Sequence, residues 1–592
     1  MKILKISFFL FLVLCSITVH AQREGDKWVI GYSDDSTNHQ QSIMHLDFSG
    51  AKLNIEWHFN ETMEIDKTAA NICDASGEAI LWTNGMQVFG KHGTIVAEAI
   101  AYDSDPLSYW NYFSLNGIAP LGFPKHDGAL ILPVPGGINE YEIIYHSAEV
   151  HPDGYFQITK YLSARIRLNE DASYDVLYQD SLIGPYHKWY TGTISATRHA
   201  NGRDWWITSF EADSPGYYSY LLDPQGVRLD HQGNVDKLVK EGLGQAAFSS
   251  QGNYLARLDA ITTNEGQYIT LYSFDRCAGD FQILETFHNP VAGIFTGVAF
   301  SPSERYLYGD DNDHLWQWDL WAEDIAASQT LVDTFDGFIQ PGWFGTYFGP
   351  IIAAPDGRIY IVPPSGSSEF MHVIDRPDLP AAECRLKQHY INLRRPQACS
   401  APNLPNFRCG PLDGSSCDTL GLDNHPVARW RFEEDQPGWW YDIRFTDLSF
   451  FDPETWHWDF DDGLTSDERS PVHTFEPGLY QVCLTVSNAY DTDSACQWVE
   501  ILTTSIDDEL NKVNDLDIYP NPFSDVLTIR SKSGLIRPTH LQLFDTNGHL
   551  VVDQANAPVP VNIHLPLMAP GMYLCVITER DGKVYSFKIM KI

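Results

Sequence analysis

Three stretches decide how the chain folds: Ala247-Phe248-Ser249-Ser250-Gln251-Gly252-Asn253-Tyr254-Leu255, Ala299-Phe300-Ser301-Pro302-Ser303-Glu304-Arg305-Tyr306-Leu307-Tyr308, and Ala353-Ala354-Pro355-Asp356-Gly357-Arg358-Ile359-Tyr360-Ile361. Each reads as a strand, a polar turn and a second strand. A further apolar run follows and ends near an aspartate, as in Leu315-Trp316-Gln317-Trp318-Asp319 and His372-Val373-Ile374-Asp375. The intervals between the stretches are each a little over fifty residues, near the size of one four-stranded propeller blade.

The same texture extends outward. From about Trp28 to Cys409 short apolar, β-branched and aromatic runs are punctuated by Gly, Asp, Asn and Pro, with no sustained helical periodicity. An all-β body is therefore predicted. The repeated phrase resembles the "F-S-P-D-G-x-Y-L-Y" turn of WD40-like and YVTN-type β-propellers. Asp74 to Phe89 resembles the opening blade of propeller-like regions in secreted Bacteroidetes proteins. At about fifty residues per blade, residues 22–411 hold seven or eight blades, and seven is the expectation. Ring closure would hide the sheet edges of so long a β chain.

A second unit spans residues 424–503. Trp456-His457-Trp458-Asp459-Phe460-Asp461-Asp462-Gly463 is followed by Ser470-Pro471-Val472-His473-Thr474-Phe475 and by a run in which Tyr480, Val482, Leu484 and Val486 alternate onto one face, as in a half-buried strand. The set resembles the PKD domain, which implies an immunoglobulin-like β-sandwich. Asp461 stands where that family has a glycine, and Phe475 where it has a tyrosine.

After a polar linker at 504–515, residues 516–592 carry Tyr519-Pro520-Asn521-Pro522, Val526-Leu527-Thr528-Ile529, Leu541 to Gly548, Pro570 to Ile577 and the terminal Lys588-Ile589-Met590-Lys591-Ile592. Their order is similar to the type A C-terminal sorting domain of the type IX secretion system. That resemblance implies a small β-sandwich recognised by the type IX machinery and transported to the cell surface. The amino terminus agrees: Lys2 and Lys5 precede an apolar core from Ile6 to Val19, and Val19-His20-Ala21 offers small residues for cleavage between Ala21 and Gln22. Residues 1–21 are thus expected to be a signal peptide. No later stretch is apolar enough for a spanning helix, so the mature chain is expected to lack a transmembrane segment and to be extracellular or on the outer-membrane surface.

With 39 basic and 78 acidic side chains, a formal charge of −39, the chain repels nucleic acid and anionic lipid. Ten cysteines include Cys15 in the leader, so an odd number enters a compartment where disulfides persist. Cys483 and Cys496 flank a hairpin tip at facing positions and are expected to bridge. Cys384, Cys399, Cys409 and Cys417 crowd one boundary without the paired spacing of a zinc knuckle. Disulfides are favoured there, with the pairing left open.

Catalytic signatures are scarce: no G-x-S-x-G elbow, H-E-x-x-H helix or P-loop occurs. Gly242-Leu243-Gly244-Gln245-Ala246-Ala247 fits G-x-G-x-x-A only superficially, because a strand follows instead of a helix. Asp310, Asp311 and Asp313, and separately Asp459, Asp461 and Asp462, supply hard oxygen ligands that admit calcium. The competing reading is that they brace turns. No other cofactor is expected. Trp205-Trp206, Trp316 with Trp318, Trp439-Trp440-Tyr441 and Trp343 to Phe348 are candidate ligand surfaces. Adjacent strand residues point to opposite faces, so one tryptophan of each adjacent pair is expected in the core. His126, His146, His199 and His314 read as ordinary strand or loop histidines.

The leading functional expectation is a secreted, surface-displayed, non-catalytic binding or adhesion protein with an extracellular glycan or protein ligand. The alternatives are a secreted hydrolase or lyase with its site in the propeller channel, or a structural component of a surface or gliding apparatus.

Overall fold

The structure is a computed structural model that describes residues 23–591 apart from 33–41, 51, 59–64, 66, 99–122, 124–125, 151–155, 190–193, 240–243, 261–265, 292, 341–343, 366–367, 398, 436–440, 502–515, 520–525, 532–537, 546–549, 556–560, 565–570 and 580–583. The expected Ala21–Gln22 cleavage position, the 504–515 linker, Trp343, Trp439, Trp440 and Pro520-Asn521-Pro522 lie outside the described residues.

Among the described residues the regular structure is strand, with three short 3-10 turns. The three repeated stretches become the first two strands of successive sheets. Phe248 pairs with Leu255, Phe300 with Leu307, and Ala353 with Ile359. The turn between them reverses through a left-handed residue at the same position each time: Gly252 (φ 71°), Glu304 (φ 61°) and Gly357 (φ 75°). Glycine supplies that conformation without a Cβ clash, and of the three only Glu304 adopts it with a side chain.

Seven sheets form a ring among the described residues, at 27–58, 68–98, 129–182, 195–239, 246–289, 298–334 and 351–397. Six have four sequential strands, and the first has three. Apolar clusters bind each to the next because alternate side chains leave each strand on opposite faces. Val29 and Ile43 of the first sheet meet Trp82 and Phe89 of the second, and one continuous core joins the second, third and fourth. Trp206 and Phe210 meet Leu255 and Tyr272; Leu258 and Phe287 meet Leu307 and Trp318; Tyr308 meets Ile359. Tyr360 and Met371 of the seventh sheet then pack on Trp28 and Met44 of the first, which closes the circle.

Both ends of the body complete that closure. Ser400 Oγ accepts from Gly31 N and donates to Gly31 O, while Ala401–Pro402 pairs in parallel with Thr68 and Ala69. A blade covered on both faces also changes one expectation. Trp205 packs towards the third sheet and Trp206 towards the fifth, so both members of the pair are core.

The PKD-like unit packs a sheet of Trp430–Glu434, Asp442–Asp447 and Val472–Thr474 on a sheet of Thr455–Asp459, Thr465–Ser466, Gly478–Ser487 and Thr492–Ile501. Val482, Leu484 and Val486 fill its core with Trp430, Phe445, Trp458 and Phe475, and Tyr480 packs at the margin. The C-terminal unit is also two-sheeted, with Leu527, Ile529, Leu541, Leu543 and Ile577 buried.

Cys483 lies opposite Cys496 in register, and the two are joined by a disulfide with Cα atoms 4.1 Å apart. Cys417 is bridged to Cys277 of the fifth sheet. The expected disulfides among Cys384, Cys399 and Cys409 do not form. Cys384 is buried in the core between the sixth and seventh sheets, Cys399 touches His126, and Cys409 faces the carbonyl of Gln251, so the ring holds them apart.

Candidate functional site

The innermost strands, among them Ala129–Pro133, Ser195–Arg198, Ala246–Phe248, Val298–Phe300 and Ile351–Ala353, surround a central channel. The chain's own segment Pro402-Asn403-Leu404-Pro405-Asn406-Phe407-Arg408 runs through it. Asn403 Nδ2 donates to the carbonyls of Ala129 and Ile194, at the starts of two inner strands. Further along, Asn406 Nδ2 donates to the Ser250 carbonyl and Arg408 Nη1 to that of Pro355, both beyond the ends of inner strands. The segment therefore crosses from one end of the channel to the other. Two prolines keep it extended without unpaired donors, and the amide and guanidinium groups satisfy carbonyls that the blade ladders leave open. Phe407 anchors it edge-on against Trp205, with ring centroids 5.7 Å apart.

A cavity of about 410 Å³ remains between this segment, the inner strands and the loop 447–453 of the PKD-like unit. Asp127 lines it. Its side chain is almost wholly buried, and Oδ2 has no hydrogen-bond partner. Burial pushes its carboxyl up to about 8, against a backbone hydrogen bond from Ala246 that favours the anion. This is a neutral acid at moderate pH, in a cleft.

The PKD-like unit is bolted over the channel end at which the segment emerges. Asp26, fully buried, accepts from Arg408 and Arg429 at 2.8 Å each and pairs with Arg23. Arg358 holds Asp356 and Asp375 of the seventh sheet and also Glu433 of the PKD-like unit. Arg431 Nε and Nη2 donate to the carbonyls of Asp356 and Asp375, and Arg376 Nη2 reaches Asp435. Burial alone would raise the Asp26 carboxyl, but Arg429 and Arg408 outweigh it and hold the group below its ordinary 3.8. Asp375 is likewise held down to about 2 by Arg358 and Lys387 against burial.

Five of the six carboxylates that could serve calcium accept hydrogen bonds from the protein's own donors. Asp310 accepts from the backbone amides of Gly297 and Asn312, and Asp311 from His314, Asn289 and Trp316. Asp313 is exposed. Asp459 accepts from Asp461 N, Asp461 from Gln481 N, and Asp462 from Leu464 N while facing His473 at 2.7 Å. Among the described residues the trio of metal-type ligands that converges lies elsewhere, at His45, Glu56 and His58. No sequence motif singles these three out; their one linear signal is Glu56-Trp57-His58, whose outer members share a strand face.

His146 is buried and held neutral by burial, down to about 3. His199 accepts from Asn201 N, and His314 pairs with Asp311. Trp318 is core and Trp316 partly buried; Tyr441 packs against the PKD-like core, and Phe348 is buried beside an exposed Tyr347. Gly244 sits where a Cβ would lie 1.7 Å from the Leu258 carbonyl oxygen. Its glycine answers to that close approach, not to a phosphate; Gly242 and Leu243 lie outside the described residues.

Residues 425–502 match the PKD domain family, and residues 517–591 match the secretion system C-terminal sorting domain. Comparison with curated proteins returned no match. Among solved structures, the chain is similar to the PKD1 domain of the Vibrio cholerae metalloprotease PrtV, at 27% identity over 13% of this chain and 99% of that one, with a TM-score of 0.12. It is also similar to putative 6-phosphogluconolactonases from Bacteroides uniformis and Bacteroides fragilis. The first is 12% identical over 63% of this chain and 98% of that one, the second 11% over 64% and 98%, each with a TM-score of 0.38. The chain thus joins a seven-sheet propeller to a PKD domain and a type IX sorting domain, and that last domain directs it to the cell surface.

Proposed function

We propose that this is a non-catalytic binding or adhesion protein of the cell surface, which presents a rigid propeller–PKD body to an extracellular glycan or protein. The observation that carries the reading is the self-filled channel: the donors of Asn403, Asn406 and Arg408 are engaged by blade carbonyls, and the PKD domain is ion-paired over one end. Contact surface is offered outside instead. On the outer face of the PKD sheet Trp498 and Leu479, each 59% exposed, are diagonal neighbours across paired strands, an apolar patch suited to a sugar face or a peptide side chain. On glycan and peptide arrays the full chain is expected to bind, and Trp498→Ala to lose that signal by about tenfold or more, as hot-spot aromatics do. A chain that bound nothing there while turning over a chromogenic substrate would refute the adhesion reading.

Asp127 favours a second reading, a hydrolase or lyase that uses a protonated acid in the remaining cavity. In that case Asp127→Asn abolishes turnover. The role of the sorting domain has its own test: deletion of 516–592 is expected to leave the truncated chain in the periplasm, and unchanged surface display would refute it.

A further inference from the structure

The hairpin formed by Ser42–Asp47 and Asn54–His58 gathers three side chains of a kind that neither the channel nor the PKD surface uses. His45 lies directly opposite Glu56, and His58 is two residues further along the same strand. The period of two therefore places all three on one face of the first sheet, towards the second. Candidate ligand atoms of all three lie within 4.8 Å of one another. The two imidazoles stack with centroids 4.0 Å apart, and Trp82 of the second sheet stands edge-on to His45 at 5.7 Å.

His45 is 6% exposed, and its Nε2 is buried with no hydrogen-bond partner. A buried ring nitrogen without a partner costs free energy unless something is bound to it. Glu56 and His58 lie on the outer edge strand and are only half-buried, so an ion can reach the trio from solvent. Asn54 Nδ2 donates to Glu56 Oε1 at 3.2 Å, the kind of outer hydrogen bond that orients a ligating carboxylate.

From this geometry we propose that His45, Glu56 and His58 form a binding site for one divalent transition-metal ion of the zinc class, wedged between the first and second sheets. Two imidazole nitrogens and one carboxylate oxygen suit such an ion, whereas calcium and magnesium take oxygen ligands. A cation, Lys27, stands close by, with Nζ 3.8 Å from Glu56. It also pairs with Glu78 at 3.0 Å and Asp47 at 3.6 Å, so a metal that takes Glu56 does not strand the ammonium. Three protein ligands leave a fourth position to water or to an outside ligand.

The test uses the full chain stripped with a chelator, then titrated with Zn²⁺ by calorimetry and with Co²⁺ by visible absorption. One equivalent of each is expected to bind, with cobalt d–d bands and no thiolate charge-transfer band. Glu56→Gln and His58→Asn are expected to weaken uptake at least about tenfold while leaving the circular dichroism spectrum and metal-free melting temperature unchanged. His45→Gln carries the larger risk to folding, so the two rim variants decide. Absence of one-equivalent uptake, a thiolate-type cobalt spectrum, or undiminished affinity in both rim variants would overturn the proposal.

Discussion

Asp26→Ala is expected to lower the stability of the propeller–PKD body by about 3–5 kcal/mol, the cost of leaving buried charge without its partner. Asp26 bridges Arg408 of the channel segment and Arg429 of the PKD domain. Its removal leaves two guanidiniums facing each other at the interface, and Arg429 already lowers the Arg408 value, second only to burial. Urea denaturation followed by tryptophan fluorescence measures the loss. Limited proteolysis between residues 412 and 424 reports whether the PKD domain has come away. The double variant Asp26→Ala/Arg429→Ala should recover part of the deficit if the charges are coupled.

The same contact has a definite pH signature. Asp26 and Asp375 have folded values below their ordinary 3.8. Their stabilisation is therefore fully present above about pH 4 and is lost as pH falls through the folded values, down to about 2 for Asp375. An acid limb that begins well above pH 4 and is unchanged in Asp26→Asn would contradict this assignment.

Asp127→Asn is expected to act in the opposite sense and at the opposite end of the scale. The folded carboxyl is raised from 3.8 to about 8, so the folded chain keeps a proton that the unfolded chain has released. The stability tied to that proton is full below about pH 4 and is lost as pH rises through 8. At about 1.4 kcal/mol for each pH unit between those two values, the ceiling is roughly 6 kcal/mol. The new amide leaves a donor to satisfy, at a cost of about 1–3 kcal/mol. A net gain of about 3–5 kcal/mol at pH 8.5, shrinking towards pH 4, is the expected result. Denaturation curves collected across that range check it, and parallel pH profiles for the two proteins would refute it.

Neither aspartate's role is encoded in linear order. The turn phrases were legible because each strand–turn–strand unit is local, and Gly252, Glu304 and Gly357 fall at the same offset in each. The bridge between Cys483 and Cys496 was legible for the same reason, since both lie on one hairpin. The partner of Cys417 was not, because Cys277 is 140 residues away, and the chain that leaves the channel meets it only by lying across the fourth and fifth sheets, where Gly410 O accepts from Arg276 and Leu412 N donates to Ala200 O. Trp205 and Trp206 misled by half: alternation gives their opposite directions, but the neighbouring blades make both directions core.

The channel segment shows the same division. Pro402 to Arg408 has the composition of a linker, and nothing in its order announces the carbonyls of Ala129, Ile194, Ser250 and Pro355 that it meets. Likewise, Glu56 and His58 are two residues apart on one strand, but the register that sets His45 beside them belongs to the hairpin.

The repeating β body, the PKD domain and the sorting domain are written in the order of the residues, because strand alternation, turn conformations and short family motifs are encoded within a few neighbours. The folded chain alone settles that the propeller closes with seven sheets, that its channel is filled by its own segment, that Asp26 and Arg358 lock the PKD domain over it, and that two histidines and a glutamate converge. Those outcomes depend on charges, carbonyls and ring nitrogens meeting across tens to hundreds of residues. Burial and partner geometry, which set their energies, arise only when the ring is closed.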